Sequence, residues 1–366
     1  MVASRPAGHD LAPDVPRELP VVDAAGTPRT IGEAYGRALR PLVERHLDRW
    51  MGAIAARHGD AEQAIARFVG GGRFEDAAAR WAPDLVEEID GLAAGAAIER
   101  NAAWLLQLMD ESWQQAGLFG GEHCTTFGAV EGFRSWLGQT MDLEGFRDGT
   151  QAVLRLAPTG RPAQLIVTMA GCIGLLGISA AGFAICVNAL AQVPTSPSGL
   201  PVALALRTAL AQGSLDEAEE LLREVPHATG QHYLLGNERR MISLECSAVA
   251  VVTSLPGARK VWHANHPMVG YVPTDDDADS DERAEAARRI LSRVSFGRSR
   301  AMELLEHPPI CRPWIDDGEQ FTFAATIVEQ RPSVRPALLV TNGPPTRGAW
   351  RKVPWPGDGP PATHPI

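Results

Sequence analysis

The chain is poor in cysteine: five in 366 residues, an odd number at irregular spacing. A disulfide framework needs a dense, paired set, so that architecture is excluded and a reducing compartment is the simpler expectation. Basic residues are in deficit too, 34 Lys+Arg against 44 Asp+Glu, for a formal net charge of −10. Nucleic acid as the main partner calls for a concentrated cationic face, which this balance disfavours. No long apolar run is present. The nearest, residues 165–190, is broken by Gly171, Gly174, Gly177 and Gly182, whereas a bilayer-spanning helix takes about 20 unbroken apolar residues. Residues 1–18 hold three prolines and no apolar segment of the kind a secretory signal carries, so a soluble cytoplasmic protein with no membrane partner is expected.

What is present is enough to build a core. Hydrophobic residues make up 45% of the chain and charged ones 21%, a balance that excludes wholesale disorder. At roughly 150 residues per domain the length predicts two or three domains, or one large catalytic domain. Tyr35, Leu39, Leu42, Val43, Leu47, Trp50 and Ile54 recur at helical spacing, with Thr30 and Glu33 in capping-box register ahead of them and Pro41 predicting a kink. Further helices are expected over 83–99, 102–113, 201–212, 214–225 and 281–306. Strand character falls on 151–156, 164–170, 182–190, 247–254, 321–328 and 336–341. Seven prolines in the last 25 residues, with few apolar residues after Trp350, make 351–366 a loose tail. Runs of helices and runs of strands, without βαβ alternation, define an α+β chain.

The helical period gives way to strand period at Gly120-Gly121-Glu122-His123-Cys124-Thr125-Thr126-Phe127. A thiol among small polar residues at such a boundary is placed for reactivity, whereas Cys186 (AICVN) and Cys246 (LECSA) lie in apolar runs that suit packing. Several segments recur in a fixed order: Cys124-Thr125-Thr126-Phe127, Gly138-Gln139-Thr140-Met141-Asp142, residues 171–190, Ser243-Leu244-Glu245-Cys246-Ser247, His263-Ala264-Asn265-His266, residues 323–328 and Gly343-Pro344-Pro345. Together they resemble the acyl-coenzyme A:6-aminopenicillanic acid acyltransferase family of the N-terminal nucleophile hydrolases, over residues 32–345.

The resemblance implies a four-layer αββα fold with a helical N-terminal segment. It also implies a precursor that cuts itself between His123 and Cys124. Residues 1–123 would then be one polypeptide and residues 124–366 the catalytic one, both packed on a single core. Cys124 would be nucleophile and, through its new α-amine, its own base. Asn265 would donate to the oxyanion, and Thr126 and Asp142 would serve self-cleavage or hold the amine. Glu245 would orient that shell, with Arg312 or Arg331 as the nearest candidates for an arginine that holds substrate. No cofactor or metal is implied. The partners would be a small-molecule acyl donor, with a coenzyme A thioester as one form, an amine or water acceptor, and the fragment cut from the same precursor. A homo-oligomer is compatible with this reading.

Other signals carry less. His263 and His266 lie three apart without the further ligands zinc takes. The acidic stretch from Asp275 to Asp279 has Ser280 where a calcium loop has glycine, and reads as a solvated loop. Gly177-Ile178-Ser179-Ala180-Ala181 is one residue short of the nucleophile elbow of an α/β-hydrolase, which leaves Ser179 open as an alternative nucleophile. A binding protein with an inert Cys124 is the second alternative.

Overall fold

The computed structural model describes residues 19–118, 121, 123–293, 295–315, 320–346, 349–359 and 364–365. The chain opens on a strand, β1 (Val21–Gly26), followed by the helices α1 (Pro28–His58), α2 (Ala61–Gly71), α3 (Phe74–Trp81), α4 (Pro83–Ala96), α5 (Arg100–Leu105) and α6 (Met109–Gln114). Six strands come next: β2 (His123–Glu131), β3 (Arg134–Glu144), β4 (Gln151–Pro158), β5 (Gln164–Met169), β6 (Leu176–Ser179) and β7 (Phe183–Ala189). Helices α7 (Val202–Leu210) and α8 (Leu215–Glu224) precede β8 (Gln231–Gly236), β9 (Met241–Cys246), β10 (Val251–Thr253) and β11 (Lys260–His263). Helices α9 (Ala278–Leu291) and α10 (Arg298–Glu306) lead to β12 (Gln320–Arg331), β13 (Val334–Val340), β14 (Arg351–Val353) and β15 (His364–Pro365).

The strands form two sheets, ordered β1-β4-β5-β6-β7-β8-β9-β10 and β11-β2-β3-β12-β13-β14-β15. Apart from the parallel β1–β4 pair, neighbouring strands run antiparallel. Alternation along each strand gives each sheet two buried faces. Met141, Leu143, Cys186 and Leu234 share one core between the sheets, and that core continues under α1 and α4. Phe127, Ala129 and Ile327 point the other way and pack under α9 and α10 with Ile290 and Leu304. The result is helix, sheet, sheet, helix, the four-layer arrangement the sequence motifs imply.

In α1 the cap lies three residues earlier than expected. Thr27 accepts from the Thr30 N–H at 3.3 Å, and Glu33 pairs with Arg29. The helix does bend where Pro41 predicts, with Leu39 out of helical geometry. Helices α1 and α4 approach backbone to backbone: a methyl on Gly32 would come within 1.9 Å of the Glu88 carbonyl oxygen. The expected helix 281–306 is two helices, since α9 ends at Leu291 and α10 starts at Arg298 behind Gly297 as its N-cap. Of the expected loose tail, the described residues 351–359 and 364–365 are ordered: β14 pairs with β13, β15 with β14, and Trp355 is buried with its indole N–H on the Pro336 carbonyl. The N-terminal segment is likewise not purely helical: β1 contributes a sheet edge. Asp277 is buried rather than solvated, holding Tyr271, Thr274 and Gln192 by their polar hydrogens.

Ser179 closes β6 in an antiparallel hairpin with β7. An α/β-hydrolase nucleophile sits on a turn from a strand into a helix, so this alternative is overturned by the sheet itself. Among the described residues no helix is long and apolar enough to cross a membrane.

Candidate active site

The site begins with a two-residue turn. Glu131 pairs with Arg134 across Gly132 and Phe133, and Gly132 takes the positive φ of 61° such a turn requires. That turn sets the register of β2 against β3, which puts Met141 opposite Cys124 and Asp142 opposite His123. Alternation then sorts the side chains. Cys124 and Thr126 face the space between the sheets, whereas His123, Thr125 and Asp142 share the face that meets α9 and α10. Asp142 is therefore beside the residue that precedes Cys124, on the opposite side of the sheet from the thiol.

On its other side β2 pairs with β11, but only from His263 opposite Thr126 onward. Continuing that register by two residues brings Asn265 opposite Cys124. The strand has ended there, and side chains take over its hydrogen bonds. The Cys124 N–H donates to Asn265 Oδ1 at 2.7 Å. The Cys124 carbonyl accepts from Arg283 at 2.7 Å and from Asn188 Nδ2 at 3.0 Å. Arg283, fully buried on α9, also donates to Asn265 Oδ1 at 3.0 Å and to Thr125 Oγ1 at 3.0 Å. Two donors on Oδ1 and the Ala189 carbonyl on Nδ2, 3.0 Å away, fix the amide orientation of Asn265. Ala189 takes one of the two Nδ2 protons, which leaves one for an incoming oxyanion. Thr126 donates to Asn188 Oδ1 at 2.8 Å, so it reaches the Cys124 carbonyl through that asparagine.

The loop carrying Asn265 is fastened from below. Glu245 Oε1 receives His263 Nε2 at 2.9 Å and the Met268 N–H at 2.8 Å, and Oε2 receives the Val269 N–H at 3.2 Å. Burial pushes this carboxyl up, and the His263 and amide contacts outweigh it, so the group titrates below its ordinary range. Glu245 therefore acts on the site through the loop. Ser280 holds the Asn265 N–H at 2.7 Å and His266 Nδ1 at 2.8 Å. Each histidine of the 263/266 pair is thus engaged separately, and among the described residues no cluster of three His, Cys, Asp or Glu could hold a metal ion.

On the far face, Arg312 makes an ion pair with Asp142 at 3.3 Å and another with Asp279, which also meets His123 Nδ1 at 3.2 Å and Arg283 at 3.0 Å. Arg312 thus reaches the His123 side of the sheet, while Arg331 ends β12 at the distant end and does not. Asp142 is raised from 3.8 to about 6: burial is the main cause, opposed by Arg283, Arg312 and the Thr322 hydroxyl. A carboxyl raised in the folded state adds most stability below its unfolded value and loses it as pH climbs through the folded one. Asp142→Asn lacks this titration, so the gap in thermal midpoint between wild type and variant should move steadily against the wild type from pH 4 to pH 6. A gap that stays constant across that window would contradict the assignment.

Arg283, Asn188 and Asp279 were not evident in the sequence, since nothing local distinguishes an arginine that faces inward on α9 from its neighbours. Cys186, by contrast, behaves as its apolar run predicts: burial pushes its thiol up to about 12. None of the five cysteines is in a disulfide. A cleft of about 650 Å³ in this chain lies at the other end of the second sheet, away from Cys124.

The fold and this arrangement match the four-layer αββα architecture that the family resemblance implies. Residues 131–308 match the family model described as acyl-coenzyme A:6-aminopenicillanic acid acyl-transferase, a segment that contains Asp142, Glu245 and Asn265 and begins after Cys124. Over 278 residues the chain is 29% identical to the 40 kDa form of acyl-coenzyme A:6-aminopenicillanic-acid-acyltransferase from Emericella nidulans, covering 74% of this chain and 77% of that one. These matches bear out the family resemblance drawn from the motifs. Among solved structures, a Caenorhabditis elegans ortholog of N-acylethanolamine-hydrolyzing acid amidase aligns with a TM-score of 0.44 and 15% identity, over 56% of this chain and 92% of that one. A conjugated bile acid hydrolase variant from Clostridium perfringens aligns with a TM-score of 0.44 and 12% identity, over 60% and 89% of the two chains.

Proposed function

We propose that this chain is a self-processing cysteine enzyme that transfers or hydrolyses acyl groups through a thioester on Cys124. The observation that carries the reading is the bond from the Cys124 N–H to Asn265 Oδ1. A main-chain nitrogen held by a side chain, at the end of a strand pairing, keeps its acceptor when the preceding peptide bond is cut. In self-cleavage the Cys124 sulfur attacks the His123 carbonyl carbon, the C–N bond breaks, and the freed nitrogen takes up the proton. Water then hydrolyses the thioester, which restores the thiol and releases a carboxylate on His123.

The new α-amine has an ordinary pKa near about 8, so part of it is unprotonated near neutrality and able to accept the proton of its own thiol. In the catalytic cycle the thiolate attacks an acyl donor, the second Nδ2 proton of Asn265 meets the oxyanion, and the leaving group departs. An amine or water then takes the acyl group. The relatives' names suggest an acyl-coenzyme A thioester or an amide as donor, and the reaction requires no cofactor. Asn188, oriented by Thr126, and Arg283 hold the Cys124 carbonyl, and Glu245 holds the loop of Asn265. Asp142, Arg312 and Asp279 act on the His123 side.

The test is to mix the processed protein with octanoyl-coenzyme A, quench, and measure the mass of the 124–366 fragment. An added octanoyl group on the peptide beginning at Cys124, removed by hydroxylamine, is expected. Asn265→Ala should slow its formation by about 10²–10³-fold, the cost of losing one oxyanion donor. Acylation on another residue, or at an unchanged rate in Asn265→Ala, would overturn the assignment.

A further inference from the structure

At the end of the second sheet away from Cys124, five cations border the cleft of about 650 Å³: Arg134, Arg298, Arg331, Arg335 and Lys352. Two carboxylates border it with them, and each is taken up by its own arginine. Arg298 holds Glu329 through two contacts, at 2.8 and 2.5 Å, and Arg335 holds Asp358 at 2.6 and 2.5 Å. Arg134, Arg331 and Lys352 remain, and among the described residues none of the three makes a hydrogen bond or ion pair with a side chain lining this cleft. Lys352 also acts on Glu329 at longer range, so five cations face two carboxylates around one concavity and leave it net positive, in a chain whose formal net charge is −10. A concave surface of one sign focuses the potential toward an anion.

The floor between these charges is apolar and aromatic. Trp136 and Trp355 line it together with Val334 and Pro354. Trp136 is held in place by its indole N–H on Glu329 at 3.2 Å, and Arg335 lies over the Trp355 ring at 5.4 Å. The volume is within the range of small-molecule sites, which pair an apolar lining with a few fixed polar groups.

We infer that this cleft binds a nucleoside polyphosphate, its phosphates on Arg134, Arg331 and Lys352 and its base against the indole-lined floor. The site is separate from the thiol. Along β3, Trp136 lies five residues before Met141, the partner of Cys124, or about 17 Å at the rise of a strand. The inference does not rest on the chemistry proposed for Cys124, because its readout is binding.

Calorimetric titration of the full-length protein with ATP tests it, with inorganic tripolyphosphate and adenosine as comparison probes. Saturable ATP binding is expected, weakening as salt is raised from about 50 to about 200 mM. Arg331→Glu and Lys352→Glu should each weaken it about tenfold, the loss of one charge-assisted contact. Trp136→Leu should weaken ATP while leaving tripolyphosphate unchanged. The two charge reversals should keep wild-type thermal midpoints, which separates lost binding from lost folding, and the unchanged tripolyphosphate affinity serves the same purpose for Trp136→Leu. No saturable binding up to about 5 mM ATP, an affinity too weak for a built site, would overturn the inference. So would binding unaffected by the two charge reversals, or tripolyphosphate binding as tightly as ATP.

Discussion

Replacing Cys124 by alanine should leave one uncut chain of 366 residues, where the wild-type protein resolves on a denaturing gel into pieces of 123 and 243 residues. The larger piece should begin Cys-Thr-Thr-Phe on N-terminal sequencing. Alanine removes the sulfur that attacks the His123 carbonyl, yet keeps the strand register and the main-chain bonds to Asn265, Asn188 and Arg283. The variant should therefore fold. It also deprives the mature enzyme of nucleophile and base at once, so acyl transfer should fall on the order of 10⁶-fold, as when a hydrolase loses its nucleophile. Cys124→Ser is the informative companion: its hydroxyl is a weaker nucleophile, and cutting should persist at a much lower rate. A wild-type chain that stays whole yet retains activity in Cys124→Ala would end the proposed mechanism.

The second large effect concerns the joint between the two pieces. Arg207 on α7 lies within the larger, and Glu88 on α4 within the smaller. The two form a bidentate pair at 2.9 Å, with the Arg207 and Glu88 side chains 2% and 3% exposed. Arg207 also donates to Gln164 Oε1 at 3.0 Å and to the Ile173 carbonyl at 2.7 Å. Arg207→Met strands the Glu88 carboxylate in an apolar layer and should cost about 3–5 kcal/mol, measured by denaturant unfolding. The double variant Arg207→Met with Glu88→Leu should recover more than half of that loss, because the penalty comes from the abandoned charge rather than from the missing bond. Equal losses in the single and double variants would contradict this account. Such a joint, with β1 paired to β4 over six residues, would keep residues 19–118 part of one core after the proposed cut.

Much of the secondary structure was legible because it is local. The apolar stripe of α1, the Pro41 bend and the strands β4, β5, β7, β12 and β13 follow from spacing and composition. The failures have physical reasons as well. Thr27 captures the cap that Thr30 and Glu33 were expected to form, since Pro28 is already suited to the first helical position. Two elements over 278–306 looked like one because the break at 292–297 holds no proline. The last residues looked loose because strands as short as β14 and β15 leave no period to detect.

For the site, the order of the sequence motifs singled out Cys124 as the candidate nucleophile and Asp142 as a carboxylate near it. The hairpin of β2 and β3 set that carboxylate across from His123. Cys124, the Gly132 turn and Asp142 are within one hairpin, where a two-residue loop dictates register. The sequence motifs also singled out Asn265, but 141 positions separate it from Cys124, and only the pairing of β11 with β2 brings the two to 2.7 Å. That pairing also decided how the amide is turned, with Oδ1 toward the nitrogen and Nδ2 toward Ala189. Arg283 and Asp279 became visible only when α9 was laid over the sheet, and Asn188 only when β7 of the other sheet was packed against β2. Local periodicity determines which face a side chain takes. Which groups meet across that face depends on strand order and layer packing, and both are settled by burial summed over the whole molecule.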